Sequence, residues 1–315
     1  MDLYSVYNQL GILFLTILIG YFLAKIKIIT SSATQFLTKY VLNIALPALV
    51  IAGMQIPYTP EKLQMAGSVF LLSIPCYALA YVVGILTAKI LSRDHSQKAV
   101  FNFGIVFANT AYLGFPVFMV LFGKESIFYA AIYNILFGLL LYTLGAKIMR
   151  THEIAPVHKN RIPLKEIFNP GVVASLVGLL LFITALPLPV FVIGTIDTLG
   201  NTCVPLSMLT IGAMLSELPL HKMFGNVRVY LLSVVRLVVM PLLILVMVKY
   251  IFGIDQMMLI AIPVIMAGMP IATNTVLMAI EYDNDAQLSS QAVLISTILS
   301  CLTIPLMILL LSHLH

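Results

Sequence analysis

Two stretches of this sequence interrupt an apolar run with the same three residue types. Asn109, Gly114 and Pro116 stand in one, and Gly268, Pro270 and Asn274 in the other. A proline inside a helix removes one backbone hydrogen bond and clashes with the preceding turn. Hydrocarbon offers the freed groups no partner, so such a break needs protein or a wet cavity around it. The chemistry this permits is anion capture. A half-helix N-terminus presents N–H donors and the positive end of its dipole, and Asn109 and Asn274 add amide donors. Taken singly, Pro and Gly are ordinary in membrane helices, and Asn bonds neighbouring helices together. It is the pairing of two such breaks that points to a site. Asn43 with Pro47 and Asn201 with Pro205 form a second pair, for which substrate contact and simple helix kinks stand as alternatives.

Charge inside the apolar runs is scarce. Arg236 lies about seven residues into the run 229–252, where an unpaired guanidinium costs several kcal/mol. It is either the counter-ion for a substrate carboxylate or a side chain snorkelling to the membrane interface. No Asp or Glu stands near the middle of any run, which disfavours obligate sodium or proton coupling, although backbone carbonyls at a helix break also bind sodium. Asp197 fits a helix N-terminus, and Glu281, Asp283 and Asp285 read as a solvated loop. His95, His152, His158, His221, His313 and His315 fall in connections or the tail, and Cys76, Cys203 and Cys301 lack paired spacing. No metal site, cofactor or enzyme activity is therefore expected.

The elements that hold these residues must be membrane helices, because 61% of the 315 residues are apolar and only 9% charged, too little polar surface for a soluble globule. Ten apolar runs are predicted as spans: 5–24, 37–54, 65–91, 99–122, 126–149, 171–185, 191–215, 229–252, 257–280 and 289–311. The first has its positive charges, Lys25 and Lys27, behind it and reads as a retained span, not a signal peptide.

Thirteen Lys and Arg residues fall in connections after odd-numbered spans, among them Lys89, Arg93, Lys159, Arg161, Lys165, Lys222 and Arg228. Lys62, Lys124 and Lys249 are the three after even spans. The positive-inside rule then puts both termini outside a cytoplasmic membrane. Scattered in short loops, these charges do not form a nucleic-acid footprint.

The two halves resemble one another. Asn43 and Pro47 match Asn201 and Pro205 at an offset of 158, and Leu71, Leu72, Ser73 and Lys89 match Leu231, Leu232, Ser233 and Lys249 at 160. Five spans per copy makes the second copy inverted. The expected organisation is one five-span repeat over 1–150, a cytoplasmic linker over 151–170, and an inverted five-span repeat over 171–315.

Four motifs are similar to the auxin efflux carrier family of plants and microbes. They are Leu42-Asn43-Ile44-Ala45-Leu46-Pro47-Ala48, the stretch from Phe107-Ala108-Asn109-Thr110 through Gly114-Phe115-Pro116, Arg236-Leu237-Val238-Val239-Met240-Pro241, and Thr297-Ile298-Leu299-Ser300. The resemblance runs from the first span to the tenth. It implies an all-α, ten-span fold like that of sodium–proton antiporters and bile-acid symporters, with a scaffold domain and a mobile domain built on crossed, interrupted helices four and nine. It also implies organic-anion transport, with Asn109, Pro116 and Pro270 lining the site.

This chain lacks the long cytoplasmic loop typical of many plant members, and compact microbial members are associated with carboxylates such as malate or malonate. The expected function is a secondary carrier of small organic anions by alternating access, as uniport or exchange. A sodium- or proton-coupled symporter is the alternative, and a transporter-like sensor the third reading. The expected partners are the anion and the lipid bilayer, with a homodimer as the candidate assembly.

Overall fold

The computed structural model describes residues 3–150, 168–217 and 225–313. The linker charges Lys159, Arg161 and Lys165, and Lys222, lie outside the described residues. The described chain is helical apart from its connections and a single antiparallel bridge between Ala108 and Ile271.

In chain order the first helices are α1 (Leu3–Lys25), α2 (Ser31–Tyr40), α3 (Leu46–Met54), α4 (Pro60–Leu91), α5 (His95–Val106), α6 (Phe115–Phe122), α7 (Ser126–Leu140) and α8 (Ala146–Met149). There follow α9 (Pro170–Thr184), α10 (Val190–Asn201), α11 (Cys203–Glu217), α12 (Val227–Val234), α13 (Met240–Leu245), α14 (Met257–Ala267), α15 (Asn274–Glu281) and α16 (Ala286–His313). Seven helical runs among the described residues are long and apolar enough to cross a bilayer, and Thr110–Phe122, Pro170–Thr184 and Met257–Ala267 are shorter apolar helices. Side chains such as Ile12, Phe22, Leu71 and Ile90 on these apolar helices are largely exposed, as suits faces turned to lipid.

Helix starts follow the local sequence. The side chains of Thr30, Asp94, Asn169 and Asn226 cap α2, α5, α9 and α12 by accepting from backbone N–H groups one turn in, which satisfies donors the helix leaves open. Prolines explain a second feature. π-turns at Val41–Ala45, Thr110–Gly114 and Val235–Val239 end two residues before Pro47, Pro116 and Pro241. The ring removes an N–H and crowds the turn before it, and widening that turn relieves the crowding.

The chain divides into two compact units, each drawing on both halves of the sequence. The first comprises Met1–Phe70, Ala111–Ile135 and Phe168–Leu218. Within it α1 packs along α11, and α3 packs on α9 and α10. The α1–α11 contact is backbone on backbone: Gly20 meets Leu209, and Gly212 meets the carbonyl of Ile17 and the amide of Tyr21. Small residues allow such an approach in membranes, where dispersion contacts replace the hydrophobic drive. Phe182 stacks between Phe128, 4.7 Å away, and Tyr58, 5.3 Å away. Salt bridges Lys62–Glu125 and Lys124–Asp197 tie the ends of its helices.

The second unit comprises Leu71–Thr110, Leu136–Ile167 and Pro219–His315. Here α16 packs on α12 and α15, and α13 packs on α14. Phe103, Phe107 and Phe137 form an aromatic core with ring separations of 4.5 and 5.7 Å.

Candidate functional site

The break in the fourth predicted span comes earlier than Pro116. α5 ends at Val106, Phe107 is extended, and helix resumes only at Thr110. Pro116 sits in the first turn of α6, where its missing N–H would have had no intrahelical partner. It therefore opens a half-helix and is not itself the point of rupture. In the ninth span α14 ends at Ala267 and α15 begins at Asn274, with Pro270 between them.

Within the second unit the two breaks lie side by side. The amide of Asn109 donates to the Pro270 carbonyl at 2.7 Å, and that of Ala272 donates to the Phe107 carbonyl at 3.0 Å. These bonds make the Ala108–Ile271 bridge. The amide of Ile271 donates to Ser296 Oγ on α16 at 3.1 Å. Gly104 leaves room for the Ile271 side chain. Groups stranded by each break are thus paired with the other break or with α16, as burial in a membrane protein demands.

The carbonyl ends are covered by Arg236. Its guanidinium, 2% exposed, donates from Nε to Met269 O at 3.1 Å, from Nη1 to Ile105 O at 2.5 Å and from Nη2 to Met266 O at 3.4 Å. Ile105 lies in the last turn of α5 and Met266 in the last turn of α14, so one cation meets the negative ends of two helix dipoles. The planar fork of Arg suits three divergent acceptors in a way that a lysine ammonium cannot. The π-turn that carries Arg236 belongs to the proline of Pro241.

The other predicted site residues fall as follows. Asn109 is 5% exposed and Pro270 is buried, both at the bridge. Asn274 is the half-buried first residue of α15. Asn43, Asn201 and Pro116 belong to the first unit: Asn43 is exposed and donates to the Lys39 carbonyl at 2.7 Å, and Asn201 is the exposed last residue of α10. Two residues the sequence reading did not single out join the bridge region. Ser296 is the acceptor for Ile271. Thr275, fully buried in the first turn of α15, has a hydroxyl with no hydrogen-bond partner among the described residues. Their only trace in sequence is a small hydroxyl in an apolar neighbourhood.

Residues 5–308 match the family described as membrane transport protein, the auxin efflux carrier type. The chain belongs to this family. It is similar to a protein of Methanothermobacter thermautotrophicus described as an uncharacterized transporter, 27% identical over 92% of this chain and 93% of that protein. It is also similar to an uncharacterized transporter of Methanocaldococcus jannaschii, 25% identical over 94% of this chain and 95% of the relative. Membership makes the chain a multi-pass membrane transport protein. Irregular backbone at membrane depth is tolerated where protein buries it or where it lines a water-filled cavity, and the paired breaks meet the first condition.

Proposed function

We propose that the chain is a ten-span secondary carrier for small organic anions, carboxylates of the malate or malonate kind, in the cytoplasmic membrane with both termini outside. The observation that carries this reading is the charge balance at the paired breaks. Arg236 covers the carbonyl ends of α5 and α14, while α15 starts at the break with Asn274 and the orphan hydroxyl of Thr275 in its first turn. An anion placed there meets donors and a positive dipole end. Its contacts are Asn109, Asn274, Thr275 and the backbone beside Pro270. Arg236 acts through the scaffold it holds.

The seven long helices and three shorter apolar ones support ten spans. Contacts within the first unit support an inverted repeat: span one packs on span seven through α1 and α11, and span two on span six through α3 and α9, two pairs that exchange under the repeat. The transport cycle in this reading is alternating access of the elevator type, with the paired breaks and their cargo crossing the membrane as one body.

The test is carboxylate flux in proteoliposomes, with potassium and valinomycin setting the potential and with sodium and pH equal on both sides. Net flux is expected to follow the potential, since outward movement of one anionic charge gains about 2.3 kcal/mol per 100 mV. Flux that needs a sodium or proton gradient would establish the symporter instead. Asn109→Ala and Asn274→Ala are each expected to lower flux by about tenfold or more, from loss of a hydrogen bond to a charged cargo, with little change in melting temperature. If both variants transport normally, the site lies elsewhere.

A further inference from the structure

A cavity of about 580 Å³ opens at one end of the second unit, away from the paired breaks in sequence and lined by the α4–α5 connection and the start of α12. Lys89, Arg93 and Arg228 supply three positive charges to its wall, and Asp94 is the one anion among the described residues of the lining. The Asp94 carboxylate is already engaged as the cap of α5, accepting from the Gln97 amide at 2.9 Å. Gln97 Oε1 in turn accepts from Ser92 Oγ at 2.9 Å and from Arg228 Nη1 at 3.2 Å. Arg228 is thereby held at the wall with donors of its fork to spare. The paired breaks make no use of any of these groups.

The surroundings are as informative as the charges. Lys89 stands in the last turn of a 32-residue apolar helix, and Arg228 is the second residue of another apolar run, so the cavity stands at the ends of two helices long and apolar enough to cross a bilayer. Ile90 is 82% exposed and Val227 70%, and Leu86 and Leu231, one turn further along the same helices, are also exposed. A basic hollow bordered by apolar helix faces matches a ligand with a phosphate at one end and acyl chains at the other. The volume lies in the range that holds a ligand of many atoms, well beyond one inorganic phosphate.

We propose that this cavity binds the phosphate of an anionic phospholipid, held by Lys89, Arg93 and Arg228, with the acyl chains lying along Leu86 and Ile90 of α4 and Val227 and Leu231 of α12. Guanidinium forks favour phosphate oxygens through paired, charge-assisted bonds. The shared chemistry is a phosphate ester or phosphate ion, and a lipid source is favoured by the apolar border.

The experiment uses the full chain, delipidated in a neutral detergent, with three probes: short-chain phosphatidylglycerol, short-chain phosphatidylcholine and inorganic phosphate. Melting temperature and lipid adducts by native mass spectrometry are read for each. Phosphatidylglycerol is expected to raise the melting temperature and to remain as an adduct, while the other two probes give neither effect. Arg93→Gln/Arg228→Gln is expected to weaken phosphatidylglycerol binding by tenfold or more. Lys89→Gln, which alters one exposed side chain and no hydrogen bond described above, is expected to weaken it several-fold and covers the case of a double variant that does not fold. Equal binding of phosphatidylcholine, or unchanged phosphatidylglycerol binding by Lys89→Gln and by a folded double variant, overturns the proposal. Stabilisation by inorganic phosphate that competes with the lipid and is lost in the variants makes the site one for free phosphate, and also overturns it.

Discussion

Arg236→Ala is expected to abolish transport and to lower the melting temperature sharply. The substitution removes three charge-assisted donors and strands the carbonyls of Ile105 and Met269 in a buried site, while that of Met266 keeps the Met269 amide at 3.4 Å. A hydrogen bond to a charged group contributes about 1.5–3 kcal/mol, and each unsatisfied carbonyl costs a further 1–3 kcal/mol or so. Even after allowance for repacking, the loss is a large share of the stability of a typical domain, about 5–15 kcal/mol. Arg236→Lys is expected to keep the charge yet recover only part of the stability, since an ammonium on a flexible stem does not span three divergent acceptors. Thermal unfolding in detergent alongside flux in proteoliposomes checks both. A variant that melts like the parent and merely needs more substrate for half-maximal flux would instead make Arg236 a direct counter-ion of the cargo.

Gly212→Val is expected to prevent the first unit from assembling. A Cβ at this position collides with the Ile17 carbonyl and comes within 2.6 Å of the Tyr21 amide, and neither backbone group can rotate away as a side chain would. Overpacking of side chains alone costs about 1–3 kcal/mol, and separating two helices that touch along their backbones costs more. Gly11→Val, on the partner helix α1 with open space beside its Cα, is the matched control and is expected to fold. Yield of monodisperse protein after detergent extraction measures the difference. Equal yields for the two variants would mean that α1 and α11 are not in backbone contact.

The sequence disclosed the helices more readily than their joints. Long apolar runs are visible because the bilayer dictates both length and composition, and the runs 65–91 and 289–311, which lie in the helices Pro60–Leu91 and Ala286–His313, stand out for that reason. The run at 171–185 is met within one residue at each end by the 15-residue helix Pro170–Thr184, which Ala185 closes in a left-handed conformation, φ 49°. Asn109, Pro270 and Asn274 declared themselves as anomalies in an apolar context, and so did Arg236. What Arg236 touches was not legible, because its partners are backbone carbonyls and every residue carries one. The rupture point was missed for a related reason. Proline draws attention at 116, but the chain leaves the helix at Phe107, where the pairing with the other break is made by peptide groups and not by a residue type suited to breaking helices. Ser296 and Thr275 are too common in membrane helices to be singled out without coordinates.

The Ala108–Ile271 bridge has an evolutionary consequence. Its two strands are joined through N–H and C=O groups that no point mutation removes, save one that introduces proline at residue 109 or 272. The frame of the proposed transport site is therefore carried by peptide groups and by Arg236, and is largely independent of the other side chains displayed around it. Under the proposed function, a lineage can exchange residues such as Asn109, Asn274 or Thr275 and try new cargoes while the backbone junction persists. Adaptation to a new nutrient or a new metabolite to expel then needs few steps, none of which has to rebuild the fold.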